Sequence, residues 1–237
     1  MRILVFQHVD CEHPGSLRGF LAEDGIKWDP TYLHRGNEIP NFDNYDALWV
    51  MGGPMDIWDI EEHPWLIEEK AAIKHWVKDL CKPYLGLCLG HQLLADALGG
   101  ECRPQETAEI GLLEIELTEE GLLDPLFKGT PNKQKCLQWH SVQVTQVPEN
   151  TVILAKSEIC AVQAMRVGEN AWSMQYHVEI EPDTVDNWVA IPAYSKSLVN
   201  TLGNSALSNL KKDTNENMNK CVNCARQIYK NFIGLIS

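Results

Sequence analysis

Over its first hundred residues the chain alternates short apolar runs with segments of helical spacing, and this order restricts the fold more than any other feature. Residues 2–6 form an apolar run ending at Gln7, and residues 16–24 then place Leu17, Phe20 and Leu21 at helical spacing. An extended stretch at 27–33 is followed by DALWVMGGP at 46–54, an apolar strand stopped by two glycines and a proline. From Pro64 to Leu80 the apolar positions Leu66, Ile67, Ala71, Ile73, Trp76, Val77 and Leu80 predict an amphipathic helix. PYLGLC at 83–88 reads as a buried strand, and GHQLLADALGG at 90–100 as a helix closed by a glycine pair. Strands alternating with helices predict an α/β fold: a parallel sheet with helices on both faces and the functional residues at the strand C-termini. Between about 111 and 177 the pattern changes to short strands, namely GLLEIELT, KCLQWHSVQV, TVILAKS, CAVQAMRV and NAWSMQYHV, a β-rich second half of the same domain. Residues 182–199 and 205–235 read as helical, the latter polar enough to suggest an exposed or mobile segment.

Composition narrows the function classes. The 237 residues are 44% hydrophobic and 22% charged, a mixture for a globular protein with its own core and not for a disordered or membrane chain. A formal net charge of −13 opposes attraction to phosphate backbones or anionic lipid, so neither nucleic acid nor membrane is expected as a partner. The longest apolar stretches, 46–55 and 84–90, are too short to cross a bilayer, and Met1-Arg2 runs straight into a strand-like ILVF, so neither a signal peptide nor a membrane span is expected, and a cytoplasmic protein is. The eight cysteines are scattered through a chain large enough to need no staples, which predicts reduced thiols.

The segment GLCLGHQ at 86–92 carries the chemistry. Cys88 sits where a buried strand turns sharply into a helix, whose N-terminal partial positive charge favours a thiolate nucleophile. Gly86 and Gly90 flank it, as a tight elbow with close backbone approach requires. A thiolate needs a proton-transfer partner, and that partner needs an orienting group. MQYHVEIEP at 174–182 supplies both: His177 and Glu179 are two apart, so on an extended strand they share a side and Glu179 can hold the imidazole in one tautomer.

These motifs resemble the class I, triad-type glutamine amidotransferases, most closely the stand-alone GMP synthase-like group. The resemblance rests on MGGPMD at 51–56, GLCLGHQLLADALGG at 86–100 and QYHVEIEP at 175–182, in that order. HPWLIEEK at 63–70, EIGLLEIELT at 109–118, DPLF at 124–127 and QWHSVQV at 138–144 add to it. It implies a three-layer, open, mostly parallel sheet flanked by helices, the flavodoxin-like amidotransferase fold, with a small β-rich extension. The domain would span 1–190, with 191–237 a C-terminal helical segment packing on it or extending it. By resemblance, Cys88 is the nucleophile on the side-chain amide of glutamine, His177 the general base and acid, and Glu179 the third triad member. The backbone N–H groups of Gly53 and Leu89 match the oxyanion hole, where each donor stabilises developing charge by about 3–4 kcal/mol. Gln92, His140, Ser141 and Val142 match substrate-contacting positions. Two departures stand out: Val178 occupies the middle of a triplet that is often His-Pro-Glu, and Met55 follows GGP where many relatives have glycine.

The resemblance implies cleavage of a γ-glutamyl amide through a γ-glutamyl thioester, with no metal and no cofactor. Ammonia would pass to an acceptor or a separate synthase subunit. The alternatives are a γ-glutamyl peptide hydrolase acting alone, or a non-catalytic module that binds a γ-glutamyl metabolite; a homo-oligomer is compatible with each. Other motifs carry less. CVNC at 221–224 lacks the second ligand pair of a structural zinc site. Trp58, Trp65 and Trp76 are read as packing residues, and Glu61, Glu62, Glu68 and Glu69 as a solvated helix start.

Overall fold

The computed structural model describes residues 1–236, which form one nine-stranded sheet wrapped by helices. Its parallel part contains β1 (Arg2–Gln7), β2 (Lys27–Tyr32), β3 (Ala47–Val50), β4 (Tyr84–Leu87) and β9 (Ala171–Met174), in the order β2-β1-β3-β4-β9. That is the flavodoxin-like strand order, which places a crevice at the C-terminal strand ends where the order reverses. Beyond β9 the same sheet continues antiparallel through β8 (Ala164–Val167), β7 (Thr151–Lys156), β5 (Glu101–Leu117) and β6 (Lys133–Gln146). The β-rich half is therefore an extension of the main sheet through shared hydrogen bonds.

The parallel strands are continuously apolar because both faces are covered. On β1, Ile3 and Val5 point into one core with Trp49, Leu85, Leu87, Trp172 and Met174. Leu4 and Phe6 point into the other, against α2 (Trp65–Lys74) and α3 (Leu89–Ala97), through Leu66, Ile73, Leu93 and Leu94. A third cluster joins Trp139 on β6 to Trp188 of α5 (Thr184–Val189) and to Tyr194 and Leu198 of α6 (Pro192–Leu202).

Several expectations are corrected. The strand expected from 111 begins at Glu101, because the polar residues 101–110 pair with β6 as a two-stranded ribbon, with a register shift between Pro104 and Glu109. The helix expected over 182–199 is two helices. Pro192 disfavours helical backbone at the residue before it, and Ile191 is extended at φ −84°, ψ 122°. The polar segment 205–235 is not wholly exposed. It is α7 (Ala206–Ile236), a 31-residue helix whose stripe of Leu210, Cys221, Ala225, Ile228, Tyr229 and Phe232 is buried. Phe232 lies between Trp49 and Trp172. The stripe is narrow and the remaining faces are charged, so the window as a whole reads as polar. All eight cysteines are free, and burial pushes the Cys224 thiol up to about 12. No helix among the described residues is long and apolar enough to cross a membrane.

Candidate active site

Cys88 follows β4 directly and caps α3 with φ 52° and ψ −104°, a conformation that side chains rarely adopt and that surrounding packing must hold. Two glycines make the elbow buildable. A Cβ on Gly90 would lie 2.1 Å from the Val50 carbonyl oxygen, and one on Gly86 would lie 2.6 Å from that of Gly90. The Cys88 N–H donates to the Met174 carbonyl (2.8 Å), tying the elbow to the end of β9 and hence to the histidine that follows it.

His177 and Glu179 lie past the end of β9, so the expected extended strand does not carry them. His177 makes a single bridge to Leu137 and donates its N–H to that residue's carbonyl (2.9 Å), after which the chain bends. The pair still meets: His177 Nδ1 is 2.7 Å from Glu179 Oε1, and both side chains are buried. Burial opposes charge on His177, but Glu179 and Cys88 together raise its affinity for a proton well above that of an ordinary imidazole. Trp188 packs edge-on against the ring at 4.4 Å. His91, one turn along α3 from Cys88, is a different case: burial, with His140 adding, lowers it to about 3, so it is neutral and unsuited to be the base.

Gly53, Cys88, Leu89, Gln92, His140, Ser141 and Val142, all singled out from the sequence, line one pocket of about 170 Å³. Among the described residues neither Gly53 nor Leu89 donates its N–H to a backbone acceptor, and both residues line the pocket. Two of the expected substrate-contact residues also hold the pocket wall together. The Gln92 amide nitrogen donates to the Val142 carbonyl (3.3 Å) and to Gln175 Oε1 (3.2 Å), which shapes the wall and leaves its amide N–H groups engaged. His140 places Nδ1 3.0 Å from the Val142 carbonyl and Nε2 3.2 Å from Glu109 Oε2, so it braces the 139–142 segment.

Further residues shape the site and were not assigned to it from the sequence. Gln175 donates to Cys88 Sγ at 3.8 Å. Tyr194, on α6, donates to Glu12 Oε1 (2.5 Å), and burial drives the Glu12 carboxyl pKa up. Ligand atoms of Glu12, His177 and Glu179 lie within 4.8 Å of one another, so a second buried carboxyl lies beside the His177–Glu179 pair. Gly15 lets the loop after β1 pass under Glu179: a Cβ there would lie 1.7 Å from the Glu179 carbonyl oxygen, which accepts from Ser16 N–H at 2.7 Å. His8 pairs with Glu69, which is fully buried on α2 and so departs from the solvated helix start expected for it. The available signal was position, since His8, Glu12 and Gly15 all fall in the loop at the C-terminal end of β1.

Gly52 is the tightest point of this packing. A Cβ there would lie 2.6 Å from Glu12 Oε2 and 3.1 Å from His177 Cε1. Gly52→Ala is expected to displace the imidazole and lower turnover about 100-fold, with the circular dichroism spectrum retained. Unchanged kcat would show that the histidine tolerates the shift.

A family description reading "Glutamine amidotransferase class-I" matches residues 25–189. The chain is 42% identical over 99 residues to a glutamine-hydrolyzing GMP synthase subunit from Pyrococcus abyssi, covering 41% of this chain and 51% of that protein. It thus matches about half the length of that relative. It is 34% identical over 160 residues to the corresponding GMP synthase subunit from Methanosphaera stadtmanae, covering 63% of this chain and 78% of that one. A glutamine amido transferase from Methylobacillus flagellatus superposes with a TM-score of 0.87 at 25% identity, covering 100% of this chain and 95% of that one. These matches establish that the chain, with its elbow cysteine and buried histidine–carboxylate pair, belongs to the class I glutamine amidotransferase family.

Proposed function

We propose that this protein hydrolyses the side-chain amide of glutamine through Cys88, His177 and Glu179. The observation that carries the reading is one constellation: a cysteine on a tight elbow, a buried pair at 2.7 Å beside it, and two residues on the same pocket whose N–H groups have no backbone acceptor.

Cys88 Sγ attacks the amide carbon, and the carbonyl π electrons move onto oxygen, where the Gly53 and Leu89 N–H groups receive the charge. The imidazolium of His177 gives its proton to the departing nitrogen, releasing ammonia as the C–N bond breaks and leaving a γ-glutamyl thioester. Water then attacks the thioester carbon, His177 takes a proton from it, and Cys88 leaves as thiolate with glutamate as product. Glu179 keeps the ring in the tautomer that points Nε2 away from it. Among the charged side chains on the pocket wall, Asp56 is the one acid, suited to the α-ammonium group of an amino-acid substrate. The α-carboxylate faces the backbone of 139–142, braced by His140. Two relatives that carry the name of a glutamine-hydrolyzing GMP synthase subunit support ammonia transfer to a separate synthase partner.

The test is release of glutamate and ammonia from glutamine and from a panel of γ-glutamyl peptides. Equimolar glutamate and ammonia from glutamine, with the peptides poorer, supports the reading. Turnover of a γ-glutamyl peptide with glutamine inert replaces it with a peptide hydrolase.

A further inference from the structure

The oxyanion-hole donor at Gly53 belongs to a peptide linking two glycines, which have the widest backbone freedom of any residues. Side chains cannot restrain it from within. A Cβ on Gly53 would meet Met55 Sδ at 2.6 Å and His8 Cβ at 3.0 Å, and one on Gly52 would meet Glu12 Oε2 at 2.6 Å. The peptide must therefore be held from outside, and the structure supplies a holder. His8 leaves the end of β1 fully buried, with Nδ1 2.8 Å from the Gly52 carbonyl oxygen and Nε2 2.8 Å from Glu69 Oε1. A carbonyl oxygen only accepts, so Nδ1 carries the hydrogen whichever way the proton is shared with Glu69. Trp65 stacks on the ring at 5.5 Å with an interplanar angle of 13°, leaving it little freedom to turn. Burial works against charge on His8, yet Glu69, the Gly52 carbonyl and nearby Glu12 raise its proton affinity above the ordinary value, which sustains the donor.

No peptide bond among the described residues is cis. In a trans peptide the C=O and N–H point in opposite directions. With the Gly52 oxygen drawn back toward His8, the Gly53 N–H is turned the other way, and Gly53 itself lines the pocket. We propose that His8, backed by Glu69 and stacked by Trp65, is a positioning residue that clamps the Gly52–Gly53 peptide so that its N–H faces the developing oxyanion. The inference rests on the hydrolase reading above and assigns a purpose to a buried ion pair that the triad chemistry does not use.

The experiment compares the parent protein with His8→Leu, which removes the donor, and His8→Asn, whose amide nitrogen falls close to the Nδ1 position. Three quantities are measured on each: kcat and KM for glutamine, affinity for the γ-aldehyde analogue of glutamine, and the rate of Cys88 alkylation by iodoacetamide. The aldehyde adds to Cys88 Sγ reversibly and turns its carbonyl oxygen into an oxyanion, so it reports on the hole; alkylation creates no oxyanion and reports on the thiol. His8→Leu is expected to lower kcat and aldehyde affinity in parallel by about 100- to 1,000-fold, the loss of one oxyanion donor. KM and the alkylation rate should change by less than about threefold, and His8→Asn should recover kcat to within about tenfold of the parent. Parallel loss of alkylation, or equal losses for Leu and Asn, would make the pair merely structural and overturn the clamp. If the parent turns over no γ-glutamyl amide, the hydrolase reading fails on its own, while the aldehyde series still decides whether His8 controls the hole.

Discussion

Cys88→Ala is expected to lower glutamine turnover by about 10⁴- to 10⁶-fold, to a rate set by the remaining pocket alone. The thiol stands on a sharp elbow beside His177, and among the described residues no other cysteine lines that pocket. Burial holds Cys11, Cys102, Cys160 and Cys224 at about 12, which leaves them as thiols at neutral pH. Removing the sulfur should leave the fold intact, because Cys88 takes part in the elbow through its backbone: its N–H donates to Met174 and its carbonyl accepts from His91 at 3.0 Å. Glutamine binding by the variant, measured calorimetrically, is expected to survive; joint loss of binding and turnover would mean that the elbow had collapsed.

His177→Gln is expected to cost nearly as much, and the Cys88→Ala/His177→Gln double variant no more than the worse single one, because nucleophile and base act as a unit. Multiplying losses in the double variant would place the two residues in separate steps. The pH profile gives a second readout. Because Glu179 and Cys88 raise the proton affinity of His177, its charged form, the acid for departing ammonia, persists to higher pH than that of an ordinary imidazole. The kcat/KM should therefore hold its level above pH 6.5 and fall only as pH rises through the raised value. Glu179→Gln removes one of the two supports for that charge, so the alkaline limb should move to lower pH. Folding follows the same sign: the pair's stabilisation is complete below the unfolded imidazole value of 6.5 and is lost as pH rises through the folded value.

What the sequence disclosed about this site divides along a physical line. Cys88 was legible because a strand-to-helix elbow needs local signals, Gly86 and Gly90, whose missing side chains make room for Gly90 and Val50 carbonyls. The parallel half of the sheet was legible for a similar reason, since burial on both faces leaves unbroken apolar runs. His177 and Glu179 were found by spacing, although the expected strand ends at Met174 and the pair is brought together by a bend after the bridge to Leu137. His8, Glu12 and Glu69 were not found, because nothing adjacent in sequence distinguishes a buried acid from a solvated one. Glu69 follows Glu68 on α2, and only the turn of the helix sends one outward and the other to His8. Tyr194 reaches Glu12 across 182 positions, a contact that no local pattern encodes. In α7 the buried stripe was masked by the charged residues surrounding it.

The most direct test of the account is to quench the protein during turnover of glutamine and locate the γ-glutamyl adduct by mass spectrometry of its peptides. The account predicts an acid-stable, hydroxylamine-labile thioester on the peptide containing Cys88, absent from Cys88→Ala and accumulating when thioester hydrolysis is slowed. Full turnover without an adduct, or with the adduct on any other residue, would contradict it.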